Sequence, residues 1–151
     1  MKHEGIALVW AQCRAAAAAL GGWIGYFLGG TDGLLTALVI FSALDYVTGV
    51  LCAVMDRSLS SAVGFRGICR KMMIFLLVGL GHILDVHVAG SGAAVRTAVI
   101  CFYLANEGLS ILENAARLGL PVPGRLKAAL EQLHSCSEEE DRDTAGGGKR
   151  G

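Results

Sequence analysis

The chain has 151 residues, a formal net charge of zero, 54% hydrophobic residues and only 17% charged ones. The length suits one folded unit, and the charged fraction is low against the roughly 25% of a typical soluble domain. A neutral balance argues against a nucleic-acid partner, and five scattered cysteines with no Cys-x-x-Cys pair argue against a disulfide scaffold or a structural zinc site.

The charges sit in short clusters between long apolar runs, and the 21 glycines are spread through those runs, as in membrane helices. A first apolar stretch over 8–28 is long enough to cross a bilayer, with Arg14 reaching toward one headgroup layer. Its basic start resembles a signal peptide, yet it runs on through Gly21 to Leu28 and further apolar segments follow. Gly29-Gly30-Thr31-Asp32-Gly33 reads as a tight turn. The segment 34–55 is the strongest spanning candidate, and Asp45 is its lone charge. Asp56 to Lys71 reads as a polar connector, in which Arg57, Arg66, Arg70 and Lys71 set topology and meet anionic headgroups.

A third apolar run covers 72–89, Gly90-Ser91-Gly92 marks a second turn, and a mixed fourth span covers 95–115. Pro121-Val122-Pro123-Gly124 stops that helix. Leu126, Ala129, Leu130 and Leu133 then give a short amphipathic helix over 124–134, lying on the membrane face or packed on the end of the bundle. Residues 134–151 read as a disordered polar tail with an acidic block. Basic residues at the N-terminus, in the middle connector and after the fourth span all fall on one side only if there are four spans. The expected architecture is therefore an all-α, polytopic transmembrane helical bundle over 1–133, with four spans and both termini cytoplasmic.

Polar residues inside the spans are the candidate functional groups. An ionised Asp at mid-span costs about 2.5–3.5 kcal/mol on insertion scales, so Asp45 needs a buried partner, a wet surface or a proton. Two readings stay open: a role in assembly or gating, or a structural hydrogen bond between helices. Asn106, Glu107, Ser110, Glu113, Asn114 and Arg117 form a broad polar face on the fourth span, where Glu113 and Arg117 can pair at i, i+4. That face lines water in an assembly or marks where the helix leaves the bilayer. Ala17, Gly21, Gly25 and Gly29 make a small-residue ladder for packing within one chain or between chains. His82, Asp85 and His87 do not share one helical face, which disfavours a metal site. No phosphate loop, nucleophile elbow or HExxH is present, so neither an enzyme nor a cofactor is expected.

Asp45-Tyr46-Val47-Thr48-Gly49 resembles the Asp-Tyr-x-Thr-Gly signature of the bacteriophage holin family that includes toxin-secretion holins. The resemblance continues through Ser60-Ser61, Gly64, Gly67 and Lys71, then Asn106-Glu107-Gly108-Leu109-Ser110-Ile111-Leu112-Glu113-Asn114, and ends in Gly119 to Pro123 and Leu126. It implies a multi-pass protein of the bacterial cytoplasmic membrane that forms homo-oligomeric lesions in the lipid bilayer. A cell-wall hydrolase (endolysin) or a toxin would leave through them, without necessarily touching the protein, and the host would lyse. The matched positions are Asp45, Tyr46, Thr48 and Gly49 in one motif, and Asn106, Glu107, Ser110, Glu113 and Asn114 in the other. A small ion or solute channel and a noncatalytic membrane scaffold are the competing readings.

Overall fold

A computed structural model describes residues 2–88, 90 and 92–133. The expected polar tail lies outside the described residues. Four long helices follow one another: α1 (Lys2–Phe27), α2 (Gly33–Met55), α3 (Ser61–His87) and α4 (Ala94–Arg117). A short α5 covers 124–133, and no strand occurs among the described residues. Three helices, α2, α3 and α4, are long and apolar enough to cross a membrane. Gln12, Arg14 and several glycines dilute α1, which is not one of these three.

Local chemistry sets the helix ends. Asp32 caps α2 by accepting from the Leu35 amide at 2.8 Å, and Ser60 caps α3 by accepting from the Val63 amide. Gly29 and Gly30 turn the chain between α1 and α2 with φ of 81° and 88°, a region that penalises side chains. Ala93 gives α4 no side-chain cap. Instead the Asp85 carboxylate, on α3, accepts from the Val95 and Arg96 amides at 3.0 and 2.8 Å. An aspartate in the sequence-level His82–Asp85–His87 cluster thus serves as a helix cap borrowed from the neighbouring helix.

The connector between α2 and α3 is shorter than the sequence suggests. Asp56 to Lys71 reads as polar loop, yet α3 begins at Ser61 and carries Arg66, Arg70 and Lys71 on its own turns. A helix of that length projects past a bilayer core, so the basic residues of its first turns need no loop to reach water.

Packing is uneven. α4 is the central helix, lying mainly on α2 and then on α3, whereas α1 packs on α3 alone among the long helices. Leu35 and Leu38 of α2, Ile74 and Val78 of α3, and Ile100 of α4 form the buried apolar core. Leu35, Leu38, Val78 and Ile100 lie toward the end of the bundle that holds the α1–α2 and α3–α4 turns, and Ile74 sits at the middle of α3. The half nearer the α2–α3 connector buries Cys52 and Ala53 but holds most of its contacts through polar groups.

Among the described side chains, α1 meets this bundle at its C-terminal end. The Phe27 ring lies directly on the backbone of Gly79, where a Cβ would overlap it. From Val9 to Ile24 every residue of α1 is exposed. The expected ladder does not pack within the chain at Gly21 or Gly25, where an added Cβ would meet nothing within 4 Å, and Ala17 is exposed too. Gly29 is a turn residue pressed against His82 and Arg96.

Candidate functional site: an ionic cluster at mid-span

Asp45 lies about 18 Å along α2 from its start and Glu107 about 20 Å along α4, which places both at mid-helix. Lys71 of α3 reaches both. Its ammonium lies 2.6 Å from Asp45 Oδ2 and also bonds Glu107 Oε2. All three side chains are largely buried, with 14% of Lys71, 15% of Asp45 and 6% of Glu107 exposed. One cation from α3 therefore joins an acid from α2 to an acid from α4.

Asn114 extends the cluster one helical step. Its Nδ2 donates to Thr48 Oγ1 at 3.1 Å and lies 3.4 Å from Asp45 Oδ1. Thr48 in turn donates to the Leu44 carbonyl, so its hydroxyl is used as both donor and acceptor. Gly49 leaves ordinary contact room for Asn114, since a Cβ there would lie 3.8 Å from its Nδ2. The Asn114 carbonyl accepts from the Cys52 thiol at 3.5 Å. The two sequence motifs, one on α2 and one on α4, meet here through side-chain contacts.

Tyr46 serves a different contact. A Cβ added at Gly67 would lie 3.1 Å from its ring, and one at Gly64 would lie 3.5 Å from its hydroxyl oxygen. Small residues on α3 therefore let Tyr46 lie across that helix. Beside it a crevice of about 200 Å³ opens between the helices, lined by Asp45, Tyr46, Gly49, Arg70, Ser110 and Asn114 among others.

Other expected residues separate from this centre. Asn106 and Glu107 are neighbours in sequence, and a helix turns about 100° between them, so only Glu107 faces inward. Asn106 is half-buried and Glu113 exposed on the opposite side of α4. Arg117 pairs with Asp56 at 2.5 Å, not with Glu113, tying the end of α4 to the end of α2. Arg57, Arg66 and Arg70 are exposed toward the connector end, in keeping with their basic cluster, but Lys71 is turned inward to the two acids. Lys71 is the residue whose role the sequence pattern conceals.

A second polar knot lies at the turn end. Arg96, 3% exposed, donates from Nε to the Leu28 carbonyl at 2.6 Å and from the terminal nitrogens to Asp32 and the Gly30 carbonyl. It fastens the α1–α2 turn to the head of α4. The hydrogen bond from Arg96, helped by that from the Leu35 amide, holds the Asp32 carboxyl below its usual range.

α5 returns along the bundle. The Leu130 methyls cover Gly108 of α4, where an added Cβ would approach them to 2.9 Å, and Phe41 of α2 borders the same spot. The family-like Asn106-Glu107-Gly108 segment thus presents three neighbours to three surroundings: the outer face, the ionic cluster and α5.

Three apolar helices of spanning length, joined at mid-span by buried ionic and amide contacts, define a helical membrane protein. The chain belongs to the bacteriophage holin family, whose model matches residues 22–135. It is 42% identical over 125 residues to an uncharacterized protein of Listeria innocua, covering 82% of this chain and 89% of that one. It is 40% identical over 116 residues to an uncharacterized 14.9 kDa protein of Clostridium perfringens, covering 77% and 88%. A protein of Bacillus phage phi105 named "Probable holin" is 32% identical over 118 residues, covering 78% of this chain and 84% of its own length. No solved structure matches. Holins are generally non-enzymatic.

Proposed function

We propose that the protein is a holin that inserts as a four-span bundle in the bacterial cytoplasmic membrane with both termini inside. It assembles there into lesions that release a cell-wall hydrolase or a toxin and lyse the host. The observation that carries this reading is the Asp45–Lys71–Glu107 cluster at mid-span. Charges in hydrocarbon are costly unless paired, and this chain pairs them internally. A single copy can therefore reside in the membrane without opening it. Lateral assembly offers the same groups a shared aqueous surface, where their hydration replaces the internal pairing.

Orientation follows from the basic residues. Arg57, Arg66 and Arg70 lie toward the connector end of the bundle, while Arg117, Arg125 and Lys127 follow one another from the end of α4 into α5. The positive-inside rule makes that side cytoplasmic. At the turn end Arg96 is committed to Asp32 and two carbonyls, so it supplies little free positive charge there.

Inducible expression in bacteria, beside a cytoplasmic hydrolase that lacks a signal peptide, tests the proposal. Abrupt lysis that needs both proteins is the expected result, and Asp45→Ala should shift its timing at matched membrane levels. Selective ion conductance without enzyme release would make the protein a channel, and an intact permeability barrier would make it a scaffold; either overturns the reading.

A further inference from the structure

The crevice beside Tyr46 holds polar groups that the single chain leaves unused. α2 and α3 both lie on α4 and touch each other little, so α4 floors the crevice and its mouth faces sideways between α2 and α3. Three side chains of the lining carry donors: the Tyr46 hydroxyl from α2, the Arg70 guanidinium from α3 and the Ser110 hydroxyl from α4. Tyr46 and Ser110 are half-buried, and none of the three makes a side-chain hydrogen bond or ion pair among the described residues. Asp45 lines the crevice too, but its carboxylate is held by Lys71 and Asn114. Counted as ionised, Asp45, Lys71 and Glu107 sum to one negative charge, which Arg70 and the nearby Arg66 outweigh at the mouth.

Helix geometry draws these donors together. Tyr46 lies across α3 with its ring beside Gly67 and its hydroxyl beside Gly64. Arg70 stands one turn beyond Gly67, and helical side chains lean over the preceding turn toward the start of their helix. Its guanidinium therefore comes back toward the level of the Tyr46 hydroxyl. Tyr46, Gly64, Arg70 and Ser110 all lie within about 14 Å of the connector end of their helices. α3 has 27 residues, about 40 Å of helix against a hydrocarbon core of about 30 Å. The crevice thus opens where headgroups give way to acyl chains. An acyl chain seated there would leave two hydroxyls and a guanidinium without partners. A group with several acceptor oxygens and a negative charge satisfies all three.

We propose that this crevice binds the phosphodiester headgroup of one anionic phospholipid, with Arg70 pairing with the phosphate and the Tyr46 and Ser110 hydroxyls donating to its oxygens. The volume of about 200 Å³ matches about seven waters, which is room for a phosphate and its ester carbons. The acyl chains leave through the open side between α2 and α3. Arg66 stands one turn nearer the connector on almost the same face of α3 and adds positive charge at the mouth. A seated lipid differs from the general pull of basic residues on anionic headgroups, because two half-buried hydroxyls fix its place. The inference needs the chain to sit in a bilayer, not that it assembles or lyses a cell.

Lipid titration of the purified full chain in neutral detergent micelles tests this, with retained lipid counted by native mass spectrometry and helicity checked for every variant. Phosphatidylglycerol is the probe, and phosphatidylcholine and inorganic phosphate are the comparison arms. One phosphatidylglycerol per chain is expected to stay bound. Arg70→Gln should weaken its apparent affinity at least about tenfold and Tyr46→Phe about threefold or more. Tyr46→Phe keeps the ring on Gly67 and removes only the hydroxyl, so it reads the site without disturbing the fold. Arg125→Gln, at an exposed position of α5, should change the affinity less than about twofold. Equal losses in Arg70→Gln and Arg125→Gln would reveal a diffuse surface attraction and overturn the site. A Tyr46→Phe chain that binds like the parent would remove the lipid from the crevice. Phosphatidylcholine held as tightly would overturn the need for a net anion, and inorganic phosphate competing at similar concentration would make a free phosphate the ligand in place of a lipid.

Discussion

Replacing Lys71 with Met keeps the aliphatic stem and removes the ammonium that Asp45 and Glu107 share. Removing one partner of a buried ion pair typically costs about 3–5 kcal/mol, because the remaining charge stays buried without compensation. Here two carboxylates are left. Asn114 still offers Asp45 a weak amide contact at 3.4 Å, and 15% of the Asp45 side chain reaches solvent. Both soften the loss, so about 3 kcal/mol is expected, the lower end of that range. The assay is reversible unfolding in mixed micelles, followed by helicity. Lys71→Met should insert at the normal level and unfold at clearly lower denaturant fraction. A triple variant with Asp45→Asn and Glu107→Gln should recover most of the loss, since neutral amides leave no orphaned charge. A single variant within about 0.5 kcal/mol of the parent, the range of ordinary surface substitutions, would refute the idea that Lys71 holds the three helices together. A triple variant no better than the single would refute the electrostatic account.

Ser42 is buried with no hydrogen-bond partner for its hydroxyl among the described residues, so Ser42→Ala should leave micellar stability unchanged or raise it by about 1–2 kcal/mol; a clear loss would show that the hydroxyl is bonded. Gly79→Ala should lift Phe27 off α3, making a cysteine placed at Leu28 more reactive to a thiol reagent, and adding Phe27→Ala should restore its protection; unchanged reactivity in Gly79→Ala would count against the contact. Asp32→Asn keeps a good helix cap but loses the ion pair with Arg96. Because the Asp32 pKa is lowered on folding, its contribution is present above its unfolded value and lost as pH falls through the folded one. The parent should therefore exceed the variant in stability at neutral pH, with the gap closing below about pH 4; a gap constant with pH would refute the link.

Much of the helix order was legible because glycine turns and apolar runs are local signals. The expected 34–55 segment falls within α2 and 95–115 within α4. Lys71 was hidden for the opposite reason. In sequence it stands directly after Arg70 and looks like the end of a basic loop, while its partners lie far away along the chain at Asp45 and Glu107. Depth points to it: two acids at mid-span need a cation at the same level, and Lys71 lies about as far from the Ser60 cap as Asp45 does from the end of α2. Helix geometry could also have separated Asn106 from Glu107 beforehand, since adjacent residues do not share a face.

The division of the bundle follows from that distribution. In hydrocarbon, apolar side chains gain little by leaving lipid for one another, so association rests on packing and on polar contacts that lipid cannot replace. The turn half has both, with Leu35, Leu38, Val78 and Ile100 of the core and the Arg96 knot. The connector half has mainly the ionic cluster, the Asn114 bonds and a crevice beside Tyr46. Water can replace an ionic contact far more readily than an apolar one. Under the proposed function, any wetting on assembly should therefore begin in the connector half, with the turn half holding the helices together. A Lys71 substitution should then alter the timing of lysis at inserted levels where a core substitution such as Val78→Ala chiefly lowers how much protein accumulates.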